Sequence, residues 1–315
     1  MSYQTIEEYF TQFPDDVEEI LVNFISDHLP DLSRFYKLKI LECNNNQLMC
    51  LPPLPSDLKS LKCGYNQLTC LPPLPSILKT LKCSHNKLTS LPPLPSTLNE
   101  LNCYDNYLTS LPPLPSTLNE LNCYNNPLIS LPPLPSTLKI LYSYRNNLTY
   151  LPPLPSTLEI LSCSNNQLTY LPPIPSNLKI LFCYNNQITY LPPLPSTLTQ
   201  LYCQNNQLTC LSSLSSNLDI LNCSNNLFLD CYTKRENYMS MDDYIIKLRN
   251  QINIINQFRE LFYALKYKKQ FLDLLWVRIR EPKIKNKYHP SNLMKLLEGK
   301  EESTLDELDE LLEKW

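Results

Sequence analysis

Glycine is nearly missing from this chain of 315 residues, which has only Gly64 and Gly299, and there are just three histidines and two tryptophans. With glycine so scarce, no glycine-rich loop can be assembled to cradle a phosphate, because such a loop relies on backbone conformations that glycine adopts freely. His28, His85 and His289 lie far apart in the sequence, none is paired with a nucleophile, and no Cys/His spacing of the metal-binding kind occurs. Catalysis therefore has little support, and no metal, cofactor or small-molecule substrate is expected. No window approaches the 18 or more uninterrupted apolar residues of a membrane span, and MSYQTIEEYFTQFPDD lacks the basic start and apolar stretch of a signal peptide. A membrane is not an expected partner.

Proline, cysteine and tyrosine are abundant instead, with 29, 13 and 20 copies. They fall in register. The stretch LPPLPSTLNELNCYDNYLTS, residues 91 to 110, recurs with small changes every 20 residues from about Leu38 to Phe228. Its frame is LxxLxCxxNxL, as in Leu98, Leu101, Cys103, Asn106 and Leu108. Leu101 and Cys103 alternate with Glu100, Asn102 and Tyr104, so a short strand places Leu and Cys on one face and variable residues on the other. A strand that short cannot bury its apolar face alone. Ten stacked copies, centred on Cys43, Cys63, Cys83, Cys103, Cys123, Ser143, Cys163, Cys183, Cys203 and Cys223, give a parallel sheet with one shared core. At about 4.8 Å per strand the ribbon is roughly 43 Å long.

The other repeat positions follow from the same geometry. The Asn of each copy, from Asn46 to Asn226, sits where the chain leaves the strand, and its amide is expected to satisfy backbone groups of the neighbouring coil. Eight copies of LPPLP or LPPIP hold 24 of the prolines, which removes backbone donors, rules out a helix on the return path and favours a polyproline-like one. In the last copy LSSLSS, Leu211 to Ser216, takes their place. Nine cysteines share the inward position and read as small hydrophobes. Side chains stacked in parallel do not point at one another as a disulfide requires, so they are expected to be reduced thiols. Cys50, Cys70 and Cys210 share a second position after the strand. Unpaired thiols and a missing signal point to a reducing, intracellular compartment, with the sequons at Asn147 and Asn222 unused.

The 20-residue frame resembles the leucine-rich repeat. The resemblance implies an α/β repeat solenoid with a parallel β-sheet on its concave face, an extended polyproline-like convex side and helical caps at both ends. Residues 1 to 37 are assigned to a helical N-terminal cap. Asp15 and Asp16 open a segment in which Val17, Ile20, Leu21, Phe24 and Ile25 recur at helical spacing, with Glu18 and Glu19 on the wet side. Residues 38 to 230 form the solenoid and residues 231 to 315 a helical C-terminal region. There Tyr244, Ile245, Leu248, Ile252, Ile255 and Phe258 recur at helical spacing, and a capping box, Ser303 with Asp306, opens a last helix.

The outward strand positions are freest to vary and change character along the ribbon. They are charged and polar early, then aromatic and aliphatic from about residue 104 to 202. Tyr104, Tyr124, Tyr142, Tyr144, Phe182, Tyr184 and Tyr202 are the expected partner-binding residues, since Tyr and Phe clustered on a rigid face resemble the anchors of protein interfaces. The competing view is that tyrosine merely suits strand geometry. Lys59, Lys62, Lys79 and Lys82 read as a solvated basic face. Further on, Lys266, Lys268, Lys269, Arg278, Arg280, Lys283, Lys285 and Lys287 are interleaved with Tyr267, Phe271, Trp276 and Tyr288, a pattern compatible with nucleic acid. The less elaborate reading, preferred here, is the wet face of a packed cap compensated by the acidic tail.

The unit LPPLPSTLxxLxCxxNxLTx also resembles the short repeats of translocated bacterial effectors, including the invasion-plasmid-antigen type of ubiquitin ligases. Those recognise a host protein through the solenoid and carry a Cys-x-Asp ligase centre in a larger C-terminal domain. Here the only Cys-x-Asp is Cys103-Tyr104-Asp105, inside a repeat whose Cys faces the core. The Cys-rich coils, the abundance of Asn, Ile, Lys and Tyr and the tail around FRELFYALKYKKQFLDLLW are similar to proteins of mimivirus-type giant DNA viruses, which implies an intracellular viral protein in the cytoplasm of an infected host. The resulting expectation is a non-enzymatic scaffold that binds an unidentified partner protein, with ligase-type substrate recognition and nucleic-acid binding as alternatives.

Overall fold

The structure is a computed structural model that describes residues 5–23, 25–211, 214 and 217–227. The chain falls into two units, residues 1–249 and 250–315, and all described residues lie in the first. The helical reading of residues 231 to 315, the C-terminal cap and its basic and aromatic residues lie outside the described residues.

Every repeat forms a three-residue strand: β2 (Ile40–Glu42), β3 (Ser60–Lys62), β4 (Thr80–Lys82), β5 (Glu100–Asn102), β6 (Glu120–Asn122), β7 (Ile140–Tyr142), β8 (Ile160–Ser162), β9 (Ile180–Phe182), β10 (Gln200–Tyr202) and β11 (Ile220–Asn222). They pair in parallel, in sequence order, with the central leucines in register from Leu41 to Leu221. Those leucines, the following cysteines and the leucines before and after them are buried, most of them completely. Repetition converts a face too small to hold one strand into a continuous core.

The polar ladder works as its residue types require. Asn86 Nδ2 donates to the carbonyls of Cys63, Cys83 and Ser84 at 3.0, 3.1 and 3.1 Å, and its Oδ1 accepts from Leu68 N at 2.9 Å. One side chain thus meets both its own coil and the preceding one, where a backbone turning out of the sheet leaves groups unpaired. Threonine does similar work beside the proline segment. Thr117 Oγ1 lies 2.8 Å from the carbonyl oxygens of both Ser96 and Leu98 of the preceding coil, and Thr137 repeats the pattern. The LPPLP segments form neither helix nor strand.

The residue before each ladder asparagine lies in the left-handed region, with φ between 51 and 58°. Asn occupies six of the ten positions, as expected of a side chain that tolerates this conformation, whereas Tyr65, His85, Asp105 and Arg145 fill the others.

The N-terminus corrects the helical cap. Among its described residues only Ile6–Phe10 is helical (α1), with Thr5 Oγ1 accepting from Glu8 N at 3.2 Å as its N-cap. Val17, Ile20, Leu21 and Ile25 do not form a helix. Glu19–Leu21 is instead an eleventh strand, β1, paired in parallel with β2. Ile20 and Val22 are buried while Leu21 and Ile25 are exposed, a period of two. The unpaired edge of β2 decided the outcome: Lys39 N and Ile40 N donate to Glu18 O, and Val22 N donates to Glu42 O, which a helix over the same residues would leave without partners. The solenoid therefore begins at residue 19, earlier than the boundary at 38. Tyr9, Phe10 and Phe13 pack against one another in T-shaped pairs, and Phe10 packs tilted against Phe35, beside the first strands.

Candidate functional site

The face of the sheet opposite the core carries two rows from the strands and one from the residue after each cysteine. All seven expected binding residues lie on it, and each is half-buried. They are brought together more tightly than strand spacing alone demands. Tyr104 stacks on Tyr124 with centroids 4.3 Å apart and rings 10° from parallel, and Tyr124 on Tyr144 at 4.2 Å and 11°. Phe182 and Tyr202 pack at 4.8 Å. Ser164 interrupts the tyrosine row, completely buried, its hydroxyl without a hydrogen-bond partner. Tyr184 resumes it. Beside these rows lie Ile140, Ile160 and Ile180, also partly exposed.

The stack lengthens where sequence reasoning did not look. His85 meets the Tyr104 ring edge-on at 5.0 Å and stacks on Tyr65 at 4.0 Å, so the aromatic line runs from Tyr65 to Tyr144. Tyr65 and His85 occupy the left-handed position rather than the strand, and the shared repeat index with Asn125 and Asn165 was the available signal. Sequence reasoning also passed over Tyr150, Tyr170 and Tyr190, which follow the ladder asparagine by four residues and are 44, 46 and 55% exposed. They lie outside the strands and form a second aromatic row.

Burial sets the chemistry of the phenols. It pushes the Tyr124 hydroxyl far above the ordinary tyrosine value, reinforced by its hydrogen bond with Tyr144, and it raises Tyr144 as well. Tyr142 is raised by burial first and then by the charge of Glu120. These hydroxyls stay protonated at neutral pH and act as donors and apolar surface, not as bases.

Towards the start of the sheet, charges compensate one another. Lys62 pairs with Glu42 at 2.9 Å and Lys82 with Glu100 at 2.7 Å, so two of the four lysines read as a solvated basic face are engaged in ion pairs. His85 lies 3.2 Å from Asp105. Glu120 stands in register beside Glu100 with no ion pair among the described residues.

Nine cysteines are buried and free, and burial pushes the thiols of Cys43, Cys83, Cys123, Cys163 and Cys223 up to about 12. Such thiols are poor nucleophiles. Cys103, the one in Cys-x-Asp, is shifted upward for the same reason. Among the described residues no cluster of three or more His, Cys, Asp or Glu could hold a metal ion, and no helix is long and apolar enough to cross a membrane.

A family profile described as leucine rich repeats, in two copies, matches residues 156–196 and 176–216. The solved structure of YopM from Yersinia enterocolitica WA-314 is 33% identical, over 67% of this chain and 56% of that one, with a TM-score of 0.49. The chain thus spans little more than half the length of that protein. A Shigella effector leucine-rich repeat domain is 30% identical, over 64% of this chain and 81% of that one, with a TM-score of 0.40. The functional domain of InlJ from Listeria monocytogenes, described as including a cysteine ladder, is 24% identical over 72% of this chain and 52% of that one. Its TM-score of 0.54 makes it a likeness of fold. No curated protein sequence matches the chain.

Proposed function

The chain is a leucine-rich repeat protein with 20-residue repeats, and from that premise we propose that it is a non-enzymatic scaffold recognising a partner protein through the outward, concave face of its sheet. Leucine-rich repeat domains are in general protein-binding scaffolds. The observation that carries the reading is the gathering of aromatic and aliphatic side chains on one face, from Tyr104 to Tyr202. Tyr104, Tyr124 and Tyr144 are stacked into one wall, with Tyr142, Phe182, Tyr184 and Tyr202 and three isoleucines beside it. Isolated exposed aromatics are ordinary, but a contiguous rigid patch of them is the usual composition of an interface core. The rings are held by their neighbours before a partner arrives, so little side-chain entropy is lost on binding.

The test compares two surfaces. Tyr142, Phe182 and Tyr202 replaced together by serine are expected to abolish retention of specific proteins from a eukaryotic cell lysate, with circular dichroism unchanged. Replacing Tyr150, Tyr170 and Tyr190 by serine is expected to leave retention intact. The opposite pattern overturns the reading. We further place the chain in a reducing compartment, a reading supported by the unpaired cysteines.

A further inference from the structure

We propose that the concave face takes an arginine side chain of the partner protein at Glu120, between the tyrosine wall and the paired charges. This rests on the reading of that face as the binding surface and names the chemistry of what it binds.

The strand register fixes the neighbourhood. Glu120 lies between Glu100 and Ile140, and Asn122 lies between Asn102 and Tyr142. Six residues on three adjacent strands thus form a small grid, with Tyr142 diagonal to Glu120 and within reach of an aromatic side chain there. Lys82 is committed to Glu100, 2.7 Å away. Glu120 therefore keeps a half-buried carboxylate with a like charge on one flank and a hydrocarbon on the other. Like-charged residues directly opposite in a sheet cost stability, so Glu120 carries an unmet demand beside the proposed interface.

That demand is for a donor carrying positive charge. A guanidinium offers five N–H groups in a planar fork, pairs with a carboxylate through two of them and stacks on an aromatic face such as Tyr142. Lysine supplies the charge but neither the fork nor the plane. A neutral or acidic partner would bury Glu120 unpaired, a penalty that turns the grid into a filter against such partners.

The probe is a phage-displayed library of random twelve-residue peptides selected on the full chain. The expected result is enrichment of peptides that share an arginine next to an aromatic or aliphatic residue. A synthetic peptide of that kind is expected to bind at least tenfold more weakly to Glu120→Gln. Replacing its arginine by citrulline, equal in shape but uncharged, is expected to lose the same factor, and replacing it by lysine a smaller one. Enriched peptides without arginine, or with undiminished affinity for Glu120→Gln, overturn the inference. If those peptides are nevertheless lost on the Tyr142, Phe182 and Tyr202 variant, the face still binds protein and only its arginine preference is refuted. Failure to enrich any peptide, or enrichment indifferent to both variants, overturns the inference together with the reading of the face.

Discussion

The Nδ2 of Asn106 donates to the carbonyl oxygen of Cys83, in the coil before its own, at 3.0 Å. The same nitrogen reaches Cys103 O at 3.1 Å, while Oδ1 accepts from Leu88 N at 3.0 Å. No apolar side chain of similar size can replace these bonds. Asn106→Leu is expected to cost roughly 2 kcal/mol, since it strands the buried Leu88 N–H and takes one of two donors from each of the Cys83 and Cys103 carbonyls. Urea denaturation followed by circular dichroism checks this, and an unchanged midpoint would show that water or neighbouring coils fill the role.

Arg145 has a φ of 53° and no ion pair among the described residues, so its left-handed backbone is strained without visible compensation. Six equivalent positions hold asparagine. Arg145→Asn is expected to stabilise the protein by about 1 kcal/mol. At Tyr65 the same substitution is expected to gain less, because it gives up the stack on His85. Thermal melts of both variants distinguish the two cases.

Cysteine reactivity should divide by repeat position. Cys50 and Cys70 are exposed, whereas the ladder from Cys43 to Cys223 is buried, its thiols shifted upward by desolvation. Alkylation of the native protein by iodoacetamide at pH 8, read by mass spectrometry, is expected to label Cys50 and Cys70 within minutes. The nine core cysteines should react only after denaturant is added. Early labelling of Cys103 would mean the core is open to water.

His28 sits between Asp27 and Glu7, at 2.7 and 2.9 Å, and its pKa is raised by those two hydrogen bonds, Asp27 first. A histidine shifted upward on folding adds stability that is complete below its unfolded value of about 6.5 and disappears as pH rises through the folded value. Asp27 and Glu7 are shifted downward, so their share is present above their unfolded values and lost in acid. Melting temperature should therefore fall slightly between pH 6 and pH 8, roughly the range in which this histidine discharges. In His28→Gln it should stay level over the same interval.

Glu120 is raised by burial first and by Glu100 second, with Lys82 opposing. An acid shifted upward on folding destabilises the protein above its folded pKa and has no effect below its unfolded value of about 4.5. Glu120→Gln should then melt higher than the parent at pH 7, with the difference vanishing below about pH 4. A lower melting point at pH 7 would mean that the carboxylate is already compensated.

How much could be read in advance differed by region. From residue 38 onward the 20-residue frame repeats so closely that strand positions, inward cysteines and the asparagine ladder follow from periodicity. At residues 15 to 25 the frame is degenerate, and Val17, Ile20, Leu21 and Ile25 satisfy a helical spacing as well as Ile20 and Val22 satisfy an alternating one. Local pattern could not separate these possibilities. The edge of β2 selected the strand, by offering the donors and acceptors that a helix would have left unmet.

The candidate site divides in the same way. Membership of the outward rows was legible from alternation, so Tyr104, Tyr124 and Tyr144 could be placed on one face. Which side chains lean on one another could not, because stacking of His85 on Tyr65 and the commitment of Lys82 to Glu100 rather than Glu120 depend on rotamers chosen among neighbours 20 residues away. Repetition in the chain fixed the architecture, since each coil poses the same burial problem and has the same solution. Where the solenoid starts and which charge is left without a partner were settled by packing between coils, because both depend on what the adjacent coil has already used.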